Sequence, residues 1–196
     1  MKTHPHANDH RGFTLIELLV VISIIALLAG IAIPTGNIVL RKARETQARA
    51  GIHNLIIAVK GYQTEYNRFP TTGAATGDQT VQTTDGNTLL PALMKPVGGA
   101  AANPLNPRQI SFFEANPQKG GAGGLTPGNG FMDPWGHPYT VVMDADGDGQ
   151  VANPFKGKPI SAGSTENEPD NLSTEVVAYS KGYDQNDTSK ALKSWR

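Results

Sequence analysis

An unbroken apolar run near the N-terminus dominates the hydropathy pattern of the chain. Residues 13–33 form a stretch of 21 positions in which Glu17 is the only charged residue. As a helix, a segment of this length rises about 32 Å, and the hydrocarbon core of a bilayer is about 30 Å thick. The pattern therefore predicts that residues 13–33 are the transmembrane half of an N-terminal helix.

A second helical pattern follows the apolar run. Pro34 removes a backbone donor, which predicts a kink or local unwinding at that position. Apolar residues then recur at helical spacing between charges, which predicts an amphipathic half-helix over residues 34–69 that ends at Phe69-Pro70. We expect its apolar stripe to pack on a sheet, with a filament contact as the alternative, and we expect Glu65 and Arg68 to form a solvated pair. The stripe consists of Val39, Ala43, Ala50, Leu55, Val59, Tyr62 and Tyr66.

Residues 70–196 predict a small β-domain with long loops. A short helix is expected at residues 88–94, and strands are expected at 109–113, at 139–143 and from 176 onward. Glycine and proline are frequent across residues 71–130, so this stretch is expected to be mostly loop. The glycine-rich residues 120–124 lack the features of a phosphate-binding loop and predict a flexible linker.

Composition narrows the classes of function. A chain of 196 residues suits one compact domain with an appendage. Lysine plus arginine equals aspartate plus glutamate, at 17 each, so no net field favours nucleic acid as a partner. Cysteine is absent, which excludes disulfides and thiolate metal sites. No arrangement of catalytic residues stands on a recognisable scaffold, so the sequence does not predict an enzyme.

The twelve residues before the apolar run form a polar leader that ends in Arg11-Gly12. An ordinary secretory signal peptide has a shorter apolar core and carries its Ala-x-Ala cleavage site after that core. Here the candidate cleavage site precedes the apolar run. An ordinary signal peptide is therefore the less favoured alternative.

The residues Gly12-Phe13-Thr14-Leu15-Ile16-Glu17 resemble the type IV prepilin signature. The resemblance implies that a prepilin peptidase cuts between Gly12 and Phe13 and methylates the new N-terminus at Phe13. It also implies an α+β, type IV pilin-like fold, in which the long N-terminal helix packs on a small antiparallel sheet. On this reading residues 1–12 are a cytoplasmic leader.

Glu17 has two interpretations. An ionisable group within a membrane span is commonly paired or functional. Cleavage creates an ammonium group at Phe13, and Glu17 of one subunit is expected to pair with that group of a neighbour during assembly. Near the end of the span, the carboxylate could instead extend to the interface.

The orientation in the membrane rests on the resemblance. Lys2 and Arg11 precede the span, and more positive residues follow it, so the charge count alone places the body in the cytoplasm. The resemblance implies the opposite orientation, with a single pass through the inner membrane and a periplasmic body.

An acidic loop follows the strand predicted at residues 139–143. Asp144, Asp146 and Asp148 stand at positions 1, 3 and 5 of an EF-hand-like loop, with Gly149 at position 6. Phe155 occupies position 12, where a bidentate glutamate belongs, and strand-like residues precede the loop. The two readings are a calcium-binding loop and a solvated hairpin turn.

Two further segments resemble the major pseudopilins of type II secretion. Residues 133–139 are similar to the Asp-Pro-Trp-Gly-Asn-Pro-Tyr stretch of that family, with Trp135 expected in the core and His137 not expected to bind metal. Residues 176–187 look like the last strand and the calcium loop of these proteins. Asp184 matches the aspartate of that loop and Asp187 matches it more loosely, while the basic residue Lys190 follows. The resemblance therefore implies calcium at the C-terminal loop. The EF-hand-like spacing makes the first acidic loop a second candidate, and one site shared by the two loops is also open.

The favoured function is that of a structural subunit of a pseudopilus in type II secretion. The implied partners are the prepilin peptidase, other copies of this chain, minor pseudopilins, the inner-membrane secretion platform and membrane lipid. A type IV pilus subunit is the first alternative, although such subunits more often carry a C-terminal cysteine pair. A membrane-anchored module that binds extracellular glycans or other ligands is the second.

Overall fold

The computed structural model describes residues 12–71, 76–84, 88–96, 103–120, 123–128, 130–161 and 163–196, without the side chains of residues 31–36. The predicted leader lies outside the described residues except for Gly12. The chain divides into two compact units, Met1–Lys42 and Ala43–Arg196. The second unit, which we call the body, contains the sheet and both acidic loops.

One helix, α1, runs from Leu15–Tyr66 and extends through both predicted halves. Its backbone is helical through position 34, so the unwinding predicted at the proline is not found. The helix ends before the predicted Phe69-Pro70 stop because Asn67 adopts a left-handed conformation with φ of 50°. Asparagine tolerates this conformation, which commonly ends helices.

The first unit presents an apolar helix surface. The large apolar side chains described between Phe13 and Leu28 are all exposed, Phe13 by 74% and Leu28 by 61%. Within the part of the chain that the structure describes, no helix combines the length and hydropathy that a membrane span requires. The predicted span, residues 13–33, includes three positions whose side chains lie outside the described set.

In the body, the buried face of α1 differs from the predicted stripe. Leu55, Val59 and Tyr62 are buried as expected, but Val39, Ala43 and Ala50 are exposed. The face that packs on the sheet begins at Ala48 and continues through Ile52, Leu55, Val59 and Tyr62. Val39 and Ala43 precede the first described buried position, Ala48, and Ala50 lies on the opposite side of the helix from Ala48 and Ile52.

The body places a four-stranded antiparallel sheet against this helix face. The described strands are β1 (Gln79–Gln82), β2 (Gly124–Leu125), β3 (Phe131–Met132), β4 (Thr140–Met143), β5 (Val151–Ala152), β6 (Asn171–Leu172), β7 (Val176–Ser180) and β8 (Leu192–Lys193), and a short helix α2 (Leu89–Leu93) follows β1. The sheet has the order β1-β4-β7-β8, while β2 pairs with β3 and β5 pairs with β6. The predicted α+β, pilin-like architecture is confirmed.

The central strand β4 is buried on both faces. Val141 and Met143 face the core beneath α1, and Val142 belongs to a smaller cluster with Val151 and Val177. A strand with both faces covered is apolar at every position rather than at alternate positions. The predictions at β4, β7 and α2 are confirmed because each is a compact apolar segment.

The strand predicted at residues 109–113 is wrong. Gln109 has a φ of 52°, and the side chain of Asn106 bonds both the N–H and the carbonyl of Ile110. Phe112 and Phe113 both donate their N–H groups to the carbonyl of Leu93. These local bonds replace strand pairing, so the segment is an irregular loop.

Two smaller expectations also change. Glu65 forms its ion pair with Arg108 rather than with Arg68. Gly124, at the end of the predicted linker, belongs to β2 and pairs with Met132. Strand β1 was not predicted, because its sequence, Gln-Thr-Val-Gln, has a single apolar residue.

Candidate functional site

The residues of the predicted cleavage site lie at the start of the described chain, ahead of α1. Gly12 and Phe13 are exposed and non-helical. A methyl group added at Gly12 would meet nothing within 4 Å. Packing within the described residues therefore does not require glycine at this position.

Glu17 caps the first turn of its own helix. Its Oε2 atom accepts hydrogen bonds from the backbone N–H of Thr14 at 2.8 Å and from the Thr14 hydroxyl at 2.7 Å. In return, the Glu17 N–H donates to Thr14 Oγ1 at 3.3 Å. This reciprocal pattern is a capping box, and sequence reasoning missed it although the Thr-x-x-Glu spacing is its signal.

Asp144 organises the first acidic loop. This buried aspartate follows β4, and its Oδ1 atom accepts the N–H groups of Gly147 at 2.7 Å and of Asp148 at 3.1 Å. Its Oδ2 atom accepts the N–H of Gly149 at 2.8 Å. Gly147 and Gly149 have φ near 80°, a conformation that glycine adopts without strain.

Three carboxylates converge at this loop. Oxygen atoms of Asp78, Asp144 and Asp146 lie within 4.8 Å of one another. Asp78 is 66 positions earlier in the chain and reaches the loop because β1 pairs antiparallel with β4, so that Gln79 stands opposite Met143. Sequence reasoning missed Asp78, and recognition of β1 would have been the signal for it. Asp148 is not a member of this group; its Oδ1 atom accepts the N–H of Gln150.

The carboxylates of the group influence one another's protonation. Burial by itself would raise the pKa of Asp144, but the N–H groups of Gly149 and Gly147 lead the contacts that lower it overall. The pKa of Asp146 is raised, first by its hydrogen bond with Asp144 and then by burial and by neighbouring negative charges. Among the described residues, no lysine or arginine forms an ion pair with this group.

The second acidic loop is arranged differently. Asp184 and Asp187 are not members of the three-carboxylate group, and both form ion pairs with Lys190. Its ammonium group lies 3.3 Å from Asp184 Oδ2 and 2.9 Å from Asp187 Oδ2. The two predicted acidic loops therefore do not share one group of carboxylates in the described structure.

The Asp133 turn lies between β3 and β4 and contacts the end of β7. The buried carboxylate of Asp133 accepts the N–H groups of Trp135 and His137 at 2.9 Å and the hydroxyl of Ser180 at 2.6 Å. Trp135 is partly buried against the core, and His137 Nδ1 lies 3.2 Å from the carbonyl oxygen of Gly182. This turn holds the segment before β4 against the loop after β7.

Comparison with known proteins gives one family match and several relatives. Residues 7–33 match the model described as the prokaryotic N-terminal methylation motif. The type II secretion system core protein G of Aeromonas hydrophila is 32% identical over 134 residues, which cover 67% of this chain and 71% of that protein. No solved structure matches.

Two pilus proteins are also similar to the chain. The type IV major pilin protein PilA of Myxococcus xanthus is 38% identical over 60 residues, 31% of this chain and 27% of that protein. The type IV wide pilus major component PilA4 of Thermus thermophilus is 29% identical over 113 residues, 58% of this chain and 86% of that protein. All three relatives are structural subunits of the pilin type rather than enzymes.

Proposed function

This chain belongs to the type IV prepilin-like family that includes the core protein G of type II secretion systems, and we propose that it is the major subunit of a pseudopilus. A pilin-like filament subunit is the function common to its relatives. The observation that carries the finer choice is the extent of the similarity to protein G, which continues beyond the N-terminal motif into the body. A type IV pilus subunit is the second candidate, because the wide pilus component is covered over most of its length.

The proposed anchor is the apolar segment 13–33 in the bacterial inner membrane, with the body in the periplasm. The matched motif supports membrane anchoring, and the exposed apolar side chains of α1 support burial of this surface in lipid or against other subunits. Prepilin peptidase would cut after Gly12 and methylate Phe13. Minor pseudopilins and the secretion platform are the further partners of this proposal.

Glu17 carries the proposed assembly contact. After cleavage, the amine of Phe13 in an incoming subunit is a cation, and the carboxylate of Glu17 is its partner in the filament. The capping box holds this carboxylate at the first turn of α1 in the single chain. Assembly would then add an intermolecular partner to a group that already has a fixed position.

Crosslinking in cells tests assembly. The chain has no cysteine, so every crosslink would form between cysteines introduced at the exposed positions Leu28 and Ile57. A two-cysteine chain treated with a bifunctional maleimide is expected to form a ladder of oligomers. Glu17→Ala should abolish the ladder, whereas Thr14→Ala, which keeps the carboxylate, should retain it. Monomers in every variant would contradict the filament and favour the membrane-anchored binding module.

A gene deletion separates the two filament types. In cells that carry both a type II secretion system and type IV pili, loss of this chain should stop release of exoproteins and leave surface pili intact. Complementation by the wild-type chain should restore release, and complementation by the Glu17→Ala variant should not. Loss of pili with normal release of exoproteins would establish the pilus alternative instead.

We also propose that calcium binds at the first acidic loop, to Asp78, Asp144 and Asp146. Carboxylate oxygens are the ligands that calcium prefers, and three of them converge here from two strands. A divalent cation would offset the repulsion between these carboxylates and join the start of β1 to the end of β4. It would stabilise the folded body by mass action.

Matched asparagine variants test this calcium proposal. Both Asp146 and Asp148 are exposed in the same loop, but only Asp146 belongs to the three-carboxylate group. For the full-length protein in detergent micelles, calcium should raise the Tm of the wild type and of Asp148→Asn, relative to a chelator. Asp146→Asn should lose most of this shift. An equal Tm with calcium and with chelator in the wild type would remove the site.

A further inference from the structure

The loop after β7 closes on itself around Lys190. Gly182, just beyond β7, has a φ of 72°, and a methyl group added to it would lie 2.6 Å from the carbonyl oxygen of Lys190. The backbone at both ends of this loop is therefore in direct contact. The contact places the lysine beside the acidic residues between these two positions.

Each carboxylate oxygen of this loop already has a donor. Asp184 Oδ1 accepts the N–H of Asn186 at 3.2 Å, and Asp187 Oδ1 accepts the N–H of Ser189 at 3.0 Å. The remaining oxygen of each aspartate, Oδ2, faces the ammonium group of Lys190. A metal ion bound by both aspartates would need these same two oxygens.

The ammonium group is fixed by more than the two carboxylates. It lies 5.2 Å from the centroid of the Tyr183 ring, which is within the range of a cation–π contact. Asp187 also caps the 3-10 turn Thr188–Lys190, and this turn carries the lysine. The cation therefore belongs to a short ordered segment rather than to a free surface side chain.

The two acidic loops therefore differ in how their charge is balanced. At Asp144 the backbone donors are neutral N–H groups, and no lysine or arginine in the described part of the chain forms an ion pair with the three carboxylates. At Asp184 and Asp187 a cation of the chain itself lies between the carboxylates. The carboxylates of the second loop therefore already have a positive charge between them, and the described carboxylates of the first loop do not.

We infer that the ammonium group of Lys190 takes the place of a metal ion in the C-terminal loop, so that this loop closes without calcium. The resemblance to major pseudopilins implies calcium here, and the residues present do not fit it. This inference does not depend on the calcium proposal for the first loop.

The protonation of the loop agrees with this assignment. The pKa of Asp187 is lowered to about 2, first by the hydroxyl of Ser189 and then by Lys190. The pKa of Lys190 is raised, first by Asp187 and then by Asp184. Both partners are therefore charged at neutral pH, as an internal ion pair requires.

The test uses full-length protein in detergent micelles that carries Asp146→Asn, so that the first loop no longer responds to calcium. Thermal unfolding is followed by the fluorescence of Trp135 and Trp195, which both lie in the body. With Lys190 intact, the Tm should be the same in chelator and in millimolar calcium. Lys190→Gln should lower the Tm in chelator, and calcium should restore it. Lys190→Arg, which keeps the charge, should remain independent of calcium.

Three results would overturn the inference. The first is a calcium-dependent Tm with Lys190 intact that is lost when Asp187→Asn is added. The second is a Lys190→Gln protein with an unchanged Tm in chelator. The third is a lowered Tm that calcium does not restore, because the lysine would then contribute packing rather than replace an ion.

A second measurement covers the case in which Lys190→Gln fails to fold. Terbium is a luminescent substitute for calcium, and Tyr183 beside the loop would sensitise its emission. The Asp146→Asn protein with Lys190 intact should give no such emission. Emission that disappears with Asp187→Asn would overturn the inference. Failure of the first-loop calcium proposal would appear separately, as a wild-type protein without any calcium response.

Discussion

The buried carboxylate of Glu168 binds three side chains near the C-terminus, those of Lys193, Trp195 and Arg196. Its side chain is fully excluded from solvent, and Oε1 forms ion pairs with Lys193 Nζ at 2.9 Å and with Arg196 Nε at 3.1 Å. Oε2 accepts hydrogen bonds from Asn153 and Trp195, each at 3.1 Å. Glu168 therefore connects strand β8 and the C-terminus to the segment between β5 and β6.

We expect Glu168→Ala to be strongly destabilising. The ammonium group of Lys193, whose side chain is only 2% exposed, would remain buried without its carboxylate. Removing one partner of a buried ion pair costs about 3–5 kcal/mol. For a domain of this size each kcal/mol lowers the Tm by about 2–4 °C, so the expected loss is about 6–20 °C.

Two further variants measure how much of this loss comes from the ion pair between Glu168 and Lys193. Lys193→Met should cost less than Glu168→Ala, because Arg196 still pairs with the glutamate. The double variant should lose less than the sum of the two single losses, because neither charge then remains unpaired. Glu65→Ala is the control, since it removes an ion pair with the exposed Arg108, and such pairs contribute about 0–1 kcal/mol.

The assay is thermal unfolding of the full-length protein in detergent micelles, followed by near-ultraviolet circular dichroism. Aromatic side chains of the body, including Trp135 and Tyr139, supply this signal, so the exposed N-terminal part of α1 does not dominate it. A Glu168→Ala protein that loses no more stability than Glu65→Ala would refute the reasoning. Strict additivity of Glu168→Ala and Lys193→Met would show that the two buried charges are not coupled.

Three further predictions concern the same body and use thermal unfolding. Gly51→Ala should lower the Tm, because the added methyl group would lie 2.5 Å from the hydroxyl of the buried Tyr139. Gly61→Ala in the same helix has its nearest contact at 3.4 Å and should raise the Tm, because alanine has a helix propensity about 1 kcal/mol better than that of glycine. Tm shifts in the same direction for both variants would contradict this. Ser180→Ala should cost about 1–3 kcal/mol, because the buried carboxylate of Asp133 loses a hydrogen bond of 2.6 Å, and an unchanged Tm would refute the role of that bond. Burial would raise the pKa of Glu168, but hydrogen bonds, led by the one from Lys193, lower this pKa overall. The ionised carboxylate therefore stabilises the fold above the ordinary glutamate pKa, and this stabilisation is lost as the pH falls through the lowered pKa of the folded state. The Tm of the wild type should fall more steeply between pH 6 and pH 3 than the Tm of Glu168→Gln.

Local patterns were sufficient for the elements that form from neighbouring residues. The helical spacing predicted α1, and the apolar segments at 140–143 and 176–180 predicted β4 and β7, because each of these elements has a strong periodic or continuous apolar signal. Strand β1 has no such signal and was missed. The segment 109–113 has strand-favouring residues, but side-chain bonds from Asn106 hold it as a loop.

The candidate site was predictable only in part. The motif at Gly12, Phe13 and Glu17 is contiguous, so its residues and their order can be read directly. The acidic residues of the two later loops could also be identified, but not their partners. Asp78 joins Asp144 through the pairing of distant strands, and Lys190 lies beside Asp184 and Asp187 because of the local turn that Asp187 caps.

The sequence by itself determined that this chain has a prepilin-type N-terminus, one long helix and a small β-domain, because these features depend on the order and spacing of neighbouring residues. The tertiary structure alone decided which face of α1 is buried, which carboxylates converge and which acidic loop already contains its own cation. The first two outcomes depend on how distant strands and the helix pack together, and the third depends on the turn geometry of one loop; spacing along the chain specifies neither.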